Sequence, residues 1–214
     1  MLEDFIKLGR QIINFDYESA YGSDYRRVST YPAVALPQPG FVGHSYKGVV
    51  ILGLNPGEGA FRSWPELNRE FGDLIQGWGR RADVATYNRV FSFFLGNFAN
   101  SPTWDGWTRL VLEAASISVE DIALLNLVKV ATKGDAKPTS KMFAVDWEWT
   151  RKQLDVLQPK VVVAGGVAVL EQFNRRWIGI PPFQVHEQNR RRSIPGPSRR
   201  QQAQLIAEAI RAIA

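Results

Sequence analysis

Four short runs of apolar, largely β-branched residues stand out from the polar background: 48–54 (GVVILGL), 121–128 (DIALLNLV), 160–164 (KVVVA) and 183–185. The first three are continuous rather than alternating, which predicts strands of a parallel sheet buried on both faces. Between them the apolar positions switch to helical spacing. Val90, Phe91, Phe94, Leu95 and Phe98 mark a helix over 86–98, and a second is predicted over 107–115. A third, over 143–157, carries Trp147, Leu154 and Leu157 and stops before Pro159. Helices over 166–176 and 198–213 complete the set, the last with Ser198 as its N-cap. Residues 1–45 add an N-terminal helix (2–15) and a turn-rich approach through Pro32, Pro37 and Pro39. Strands alternating with helices of this length predict an α/β fold, with a central four-stranded, mostly parallel sheet flanked by helices. No repeat, low-complexity segment or linker interrupts the chain, so residues 1–214 are expected to form one domain.

Composition narrows the chemistry. With no cysteine, disulfides, thiolate catalysis and cysteine-held zinc or iron–sulfur clusters are excluded. Two histidines, His44 and His186, are too few for a metal site built on imidazole, so neither a metal nor another cofactor is expected. No apolar run approaches the ~18 residues that span a bilayer. The acidic start, Met1-Leu2-Glu3-Asp4, lacks a signal-peptide pattern, and a cytoplasmic location without membrane contact is expected. Chemistry here must run on Asn, Asp, Glu, His and backbone groups.

The net charge of +5 is unevenly spread: five arginines and no acid lie between Arg190 and Arg200. Such a cluster attracts a polyanion, nucleic acid above all, or serves as a solvated basic surface.

In an open α/β sheet, ligands bind beyond the carboxyl ends of the strands, so three loops matter. After the first strand comes Gly53-Leu54-Asn55-Pro56-Gly57-Glu58-Gly59. Its glycines allow close backbone approach to a ligand, Pro56 fixes the turn, and Asn55 offers both an acceptor and donors. The same residues also make a simple βα turn. This is no phosphate-cradling P-loop, because the Gly-Lys-Ser/Thr ending is missing. After the second strand, Asn126 sits in an apolar stretch and must find partners or cost about 1–3 kcal/mol. Those partners are either neighbouring backbone or the edge of a nucleobase, where one amide supplies a donor and an acceptor side by side. After the last strand, His186 leads through Glu187, Gln188 and Asn189 into Arg190, Arg191, Arg192 and Ser193.

Taken in order, these loops resemble those of the uracil-DNA glycosylase superfamily. GLNPG at 53–57 is similar to the first motif of the mismatch-specific uracil/thymine and single-strand-selective monofunctional branches. ALLNLVKVAT at 123–132 resembles the uracil-reading strand, TYNRVFSFF at 86–94 a helix of the mismatch-specific branch, and KVVVAGGVAVL at 160–170 the segment before the second motif. Two departures stand out. The second motif is His186-Glu187-Gln188 where the superfamily usually has His-Pro-Ser, and Gly166 stands where a lysine is usual.

The resemblance implies a monomeric DNA-repair hydrolase that flips uracil from DNA and hydrolyses its N-glycosidic bond, leaving an abasic site. Asn126 would read uracil O4 and N3–H. An aromatic after Gly57 would stack on the base, with Phe61, Phe71 and Trp64 as candidates. His186 would donate to the charge developing on uracil O2, backbone amides near Gly53 and Leu54 would assist, and Asn55 would position the attacking water. Gly57, where a sharply uracil-specific branch carries tyrosine, would leave room for 5-substituted uracils. Arg190, Arg191, Arg192 and Ser193 would grip phosphates and retain the abasic product. The alternatives are a non-catalytic protein of this fold that binds abasic DNA or other nucleic acid, and a nucleotide-processing enzyme. The second would leave Asn126 and His186 without a task.

Overall fold

Val49, Val50, Ile51 and Leu52 are each no more than 2% exposed, and Val161 to Ala164 are wholly buried. That is the environment their hydrocarbon side chains require. The computed structural model describes residues 1–31, 36–58, 65–97, 107–188 and 198–213, and resolves two compact units, each drawn from three stretches of chain.

One unit (Phe41–Leu54, Ala99–Leu125 and Gln158–Ala214) holds the sheet. Its strands are β1 (Phe41–Val42), β2 (Val49–Gly53), β3 (Ile122–Asn126, whose last residue counts with the other unit), β4 (Val161–Ala164) and β5 (Gln184–Glu187). Their order is β1-β3-β2-β4-β5, mixed but mostly parallel. β2 and β4 run parallel with Ile51 opposite Val163, and β4 and β5 run parallel with Val163 opposite His186. The sheet therefore has five described strands where four were expected. The addition, β1, pairs antiparallel with β3 through Phe41–Leu124 and Val42–Ala123. Two residues are too few to show any periodicity, and only the partner strand makes them a strand.

The helices of this unit are α5 (Thr108–Ala115), α7 (Val167–Arg176) and α8 (Arg199–Arg211), the numbering following chain order through the whole protein. Ser198 does cap α8, accepting from the Gln201 amide at 3.3 Å. Ala203, Ile206, Ala207 and Ile210 are the buried stripe of α8, which packs against α5. Arg211 also donates to the Ala114 carbonyl at 2.6 Å. Between α7 and β5, Ile178 and Ile180 stand almost fully in solvent, 97% and 96% exposed.

The other unit (Met1–Gly40, Asn55–Phe98 and Asn126–Leu157) is helical, with α1 (Leu2–Ile13), α2 (Tyr17–Tyr21), α3 (Pro65–Arg80), α4 (Val84–Asn97) and α6 (Ser140–Leu157). The hydrophobic pattern did not predict α3. Its buried positions, Asn68, Phe71, Ile75 and Trp78, do follow helical spacing, but Gly72, Gly77 and Gly79 dilute the signal. Close approach explains two glycines of the α1–α3 contact. A Cβ on Gly79 would lie 2.8 Å from the Ile13 side chain, and one on Gly9 would lie 2.2 Å from the Trp78 ring. Trp78 donates its indole N–H to the Ile6 carbonyl at 3.0 Å and packs edge-on against Tyr87.

Candidate functional site

The chain leaves β2 at Gly53 and turns at once through Asn55 and Pro56. Asn55 is half-buried, and its Nδ2 donates to the Pro56 carbonyl at 3.1 Å and to Thr132 Oγ1 at 3.2 Å. The Thr132 hydroxyl spends its own proton on the Ala136 carbonyl at 2.5 Å. It must therefore accept from Asn55, which fixes the orientation of the carboxamide. Among the described residues, Asn55 Oδ1 accepts nothing. It is an acceptor left available by a network that has committed the NH2 group.

A buried carboxylate holds this turn. Glu58 is 1% exposed; its Oε1 accepts from Ser29 Oγ at 2.5 Å and its Oε2 from the Gly134 amide at 2.7 Å. In return, the Glu58 amide donates to Asp135 Oδ1 at 2.6 Å. Gly134 and Asp135 both take left-handed backbone angles, φ 61° and 55°, which glycine adopts freely and aspartate tolerates. Three segments distant in sequence are thus tied together around Asn55 by charge-assisted hydrogen bonds. Among the described residues, a Cβ on the exposed Gly57 would meet nothing nearer than Asp135 Oδ1 at 3.8 Å.

Asn126 ends β3 and is half-buried. Its carboxamide has no hydrogen-bond partner among the described residues. Its backbone carbonyl, by contrast, is taken by Lys129 Nζ at 2.5 Å and approached by Thr150 Oγ1 at 3.4 Å.

His186 lies within β5, as its third residue, rather than beyond the strand as expected. The ladder continues past it because the Gln188 amide reaches the Ala164 carbonyl at 2.9 Å. His186 Nε2 lies 3.2 Å from Gln184 Oε1, two residues back on the same face of the strand. Burial pushes the imidazole below its ordinary value and so favours the neutral ring.

Phe71 is corrected as a base-stacking candidate. It is a core residue of α3, 1% exposed, with its ring stacked on Phe93 at 6.0 Å. Phe61, Trp64, Arg190, Arg191, Arg192 and Ser193 lie outside the described residues. Gly53 and Leu54 are half-buried at the end of β2 and just past it.

Sequence reasoning passed over Thr132, Glu58 and Lys129. Lys129 did carry a signal, as a charged residue inside the otherwise apolar stretch 127–131. Thr132 and Glu58 carried none, since their roles depend on partners 77 and 76 positions away. No known family matches the chain, and no curated protein matches it either. No described helix is long and apolar enough to cross a membrane.

Proposed function

We propose that this protein is a monofunctional uracil-DNA glycosylase, a hydrolase that removes uracil from DNA and leaves an abasic site. The observation that carries the proposal is the pair of half-buried asparagines, Asn55 and Asn126. Among the described residues, one has an oriented Oδ1 that accepts no hydrogen bond, and the other a carboxamide with no internal partner. Both carboxamides are partly exposed, so these groups are accessible to an incoming ligand or water.

The chemistry follows from what each group can do. A carboxamide such as that of Asn126 donates to uracil O4 and accepts from N3–H, whereas cytosine presents the opposite pattern. Breaking the glycosidic bond leaves negative charge on uracil and cationic character on the sugar. The Oδ1 of Asn55 orients water toward that cation. An amide has no useful proton affinity, so the water must meet a nearly formed cation, which needs little activation. The donor to uracil O2 is assigned to His186, acting as a neutral imidazole. The basic segment Arg190 to Arg192 is assigned to phosphate binding and retention of the abasic product.

The test is incubation with a uracil-containing oligonucleotide, single- and double-stranded, followed by alkaline cleavage at abasic sites. Excision that persists in EDTA is expected. Abasic-DNA binding without any excision would favour the non-catalytic alternative.

A further inference from the structure

Lys129 is fully buried, which is rare for a lysine unless its charge is compensated. Its Nζ contacts three oxygens: the Asn126 carbonyl at 2.5 Å, Gln153 Oε1 at 2.7 Å and Thr150 Oγ1 at 2.9 Å. An ammonium carries three N–H donors, so the count of acceptors matches. Thr150, accepting from lysine, keeps its own proton for the Asn126 or Leu127 carbonyl, each 3.4 Å away. Gln153 is held in turn, its Nε2 donating to the Pro39 carbonyl.

A second buried group backs the first. Asp146, also wholly buried on α6, accepts at Oδ2 from the Lys129 backbone amide at 3.1 Å and from the Tyr21 hydroxyl at 2.5 Å. Its charge also acts on Tyr17 of α2. Lysine's main chain is therefore pinned by one carboxylate, while its side chain reaches forward to the carbonyl of Asn126. Burial lowers the Lys129 ammonium and raises the Asp146 carboxyl; each charge opposes the other's shift.

We propose that Lys129 is a positioning residue for Asn126: its buried side chain, held by Thr150 and Gln153, fixes the Asn126 carbonyl and thereby the carboxamide that reads the base. This rests on the glycosylase reading for its consequence, though not for its geometry. Asn126 closes β3, and beyond the ladder nothing else described grips its backbone so closely. A carboxamide without partners of its own depends on its backbone for direction. The lysine supplies that constraint from inside the fold, without touching the base.

The test uses Lys129→Met, which keeps the length of the chain and removes the donors, and has two arms. The first follows the side-chain amide resonances of Asn126 by NMR, assigned by their disappearance in Asn126→Ala. They should move in Lys129→Met while those of Asn55 stay; unmoved Asn126 resonances in a folded variant overturn the proposal. The second arm is a double-mutant cycle on excision. A misplaced reading group costs about 10²-fold in kcat/KM. Lys129→Met should show that loss alone and little further loss when added to Asn126→Ala, but a full loss when added to Asn55→Ala. Equal losses in both backgrounds would make Lys129 merely structural and would sink the idea. Should Lys129→Met fail to fold, Gln153→Leu takes its place in both arms, with the same pattern at smaller size. If the parent protein excises no uracil, the glycosylase reading fails, while the resonances still decide whether Lys129 holds Asn126.

Discussion

The strands β2 and β4 and the segment that follows β3 are equally buried but by opposite means. In β2 and β4 every buried side chain is hydrocarbon, and the strands satisfy their polar backbone through the ladder alone. Around residues 126–135 the interior contains a lysine, two threonines, a glutamine and two carboxylates, each buried and each hydrogen-bonded. A hydrocarbon core stabilises without regard to direction. A polar core is stabilised only through the pairing of its groups, and so it dictates where atoms sit. The candidate residues Asn55 and Asn126 both hang from the polar kind, which suits groups that must be aimed.

That contrast yields graded expectations. Leu52→Ala, in the hydrocarbon core, should cost about 2–5 kcal/mol in urea denaturation, because a buried side chain leaves a cavity. Asn126→Ala should do the reverse, cutting excision by roughly 10²-fold, close to 2.7 kcal/mol of barrier, with the melting temperature unchanged. A clear fall in melting temperature would reveal an internal partner for that carboxamide. Glu58→Gln keeps the shape of the latch but loses its charge and turns a donor toward Ser29 or Gly134. A loss of about 1–3 kcal/mol is expected by denaturation, together with slower excision as the turn around Asn55 loosens.

The next expectation concerns pH. His186 has a folded-state value below its ordinary one, so the unfolded chain binds the proton more readily. Its contribution to stability is complete above the unfolded value, about 6.5, and declines as pH falls through the lowered folded value. His186→Gln should flatten this part of the stability profile. In the parent, excision should hold steady from neutral to mildly alkaline pH and fall in acid. A rate that climbs below pH 6 would instead make the imidazolium the working form. The smallest effect is expected at Ile178 and Ile180, where replacing both by serine should change stability by no more than about 0.5 kcal/mol each, since neither side chain is buried.

By itself the amino-acid sequence determined whatever depends on neighbours in the chain. The continuous runs at 49–53 and 161–164 had to be buried strands, the stripe of α8 had to face a core, and Ser198 had to cap it. Asn55 and Asn126 were legible because a polar amide stands out at the end of an apolar run. Hydrophobic period and capping chemistry are local, so they survive without knowledge of the fold. Tertiary structure decided the rest. It made a strand of Phe41 and Val42, turned a glycine-diluted segment into α3, and kept β5 running through His186. It also enclosed Phe71 in the core, joined Glu58 to Ser29 and Gly134, and set Lys129 against Asn126, Thr150 and Gln153. These outcomes depend on which distant groups meet, and a polar residue's role is set by its partners: with them it is a fixed support, and without them an exposed charge.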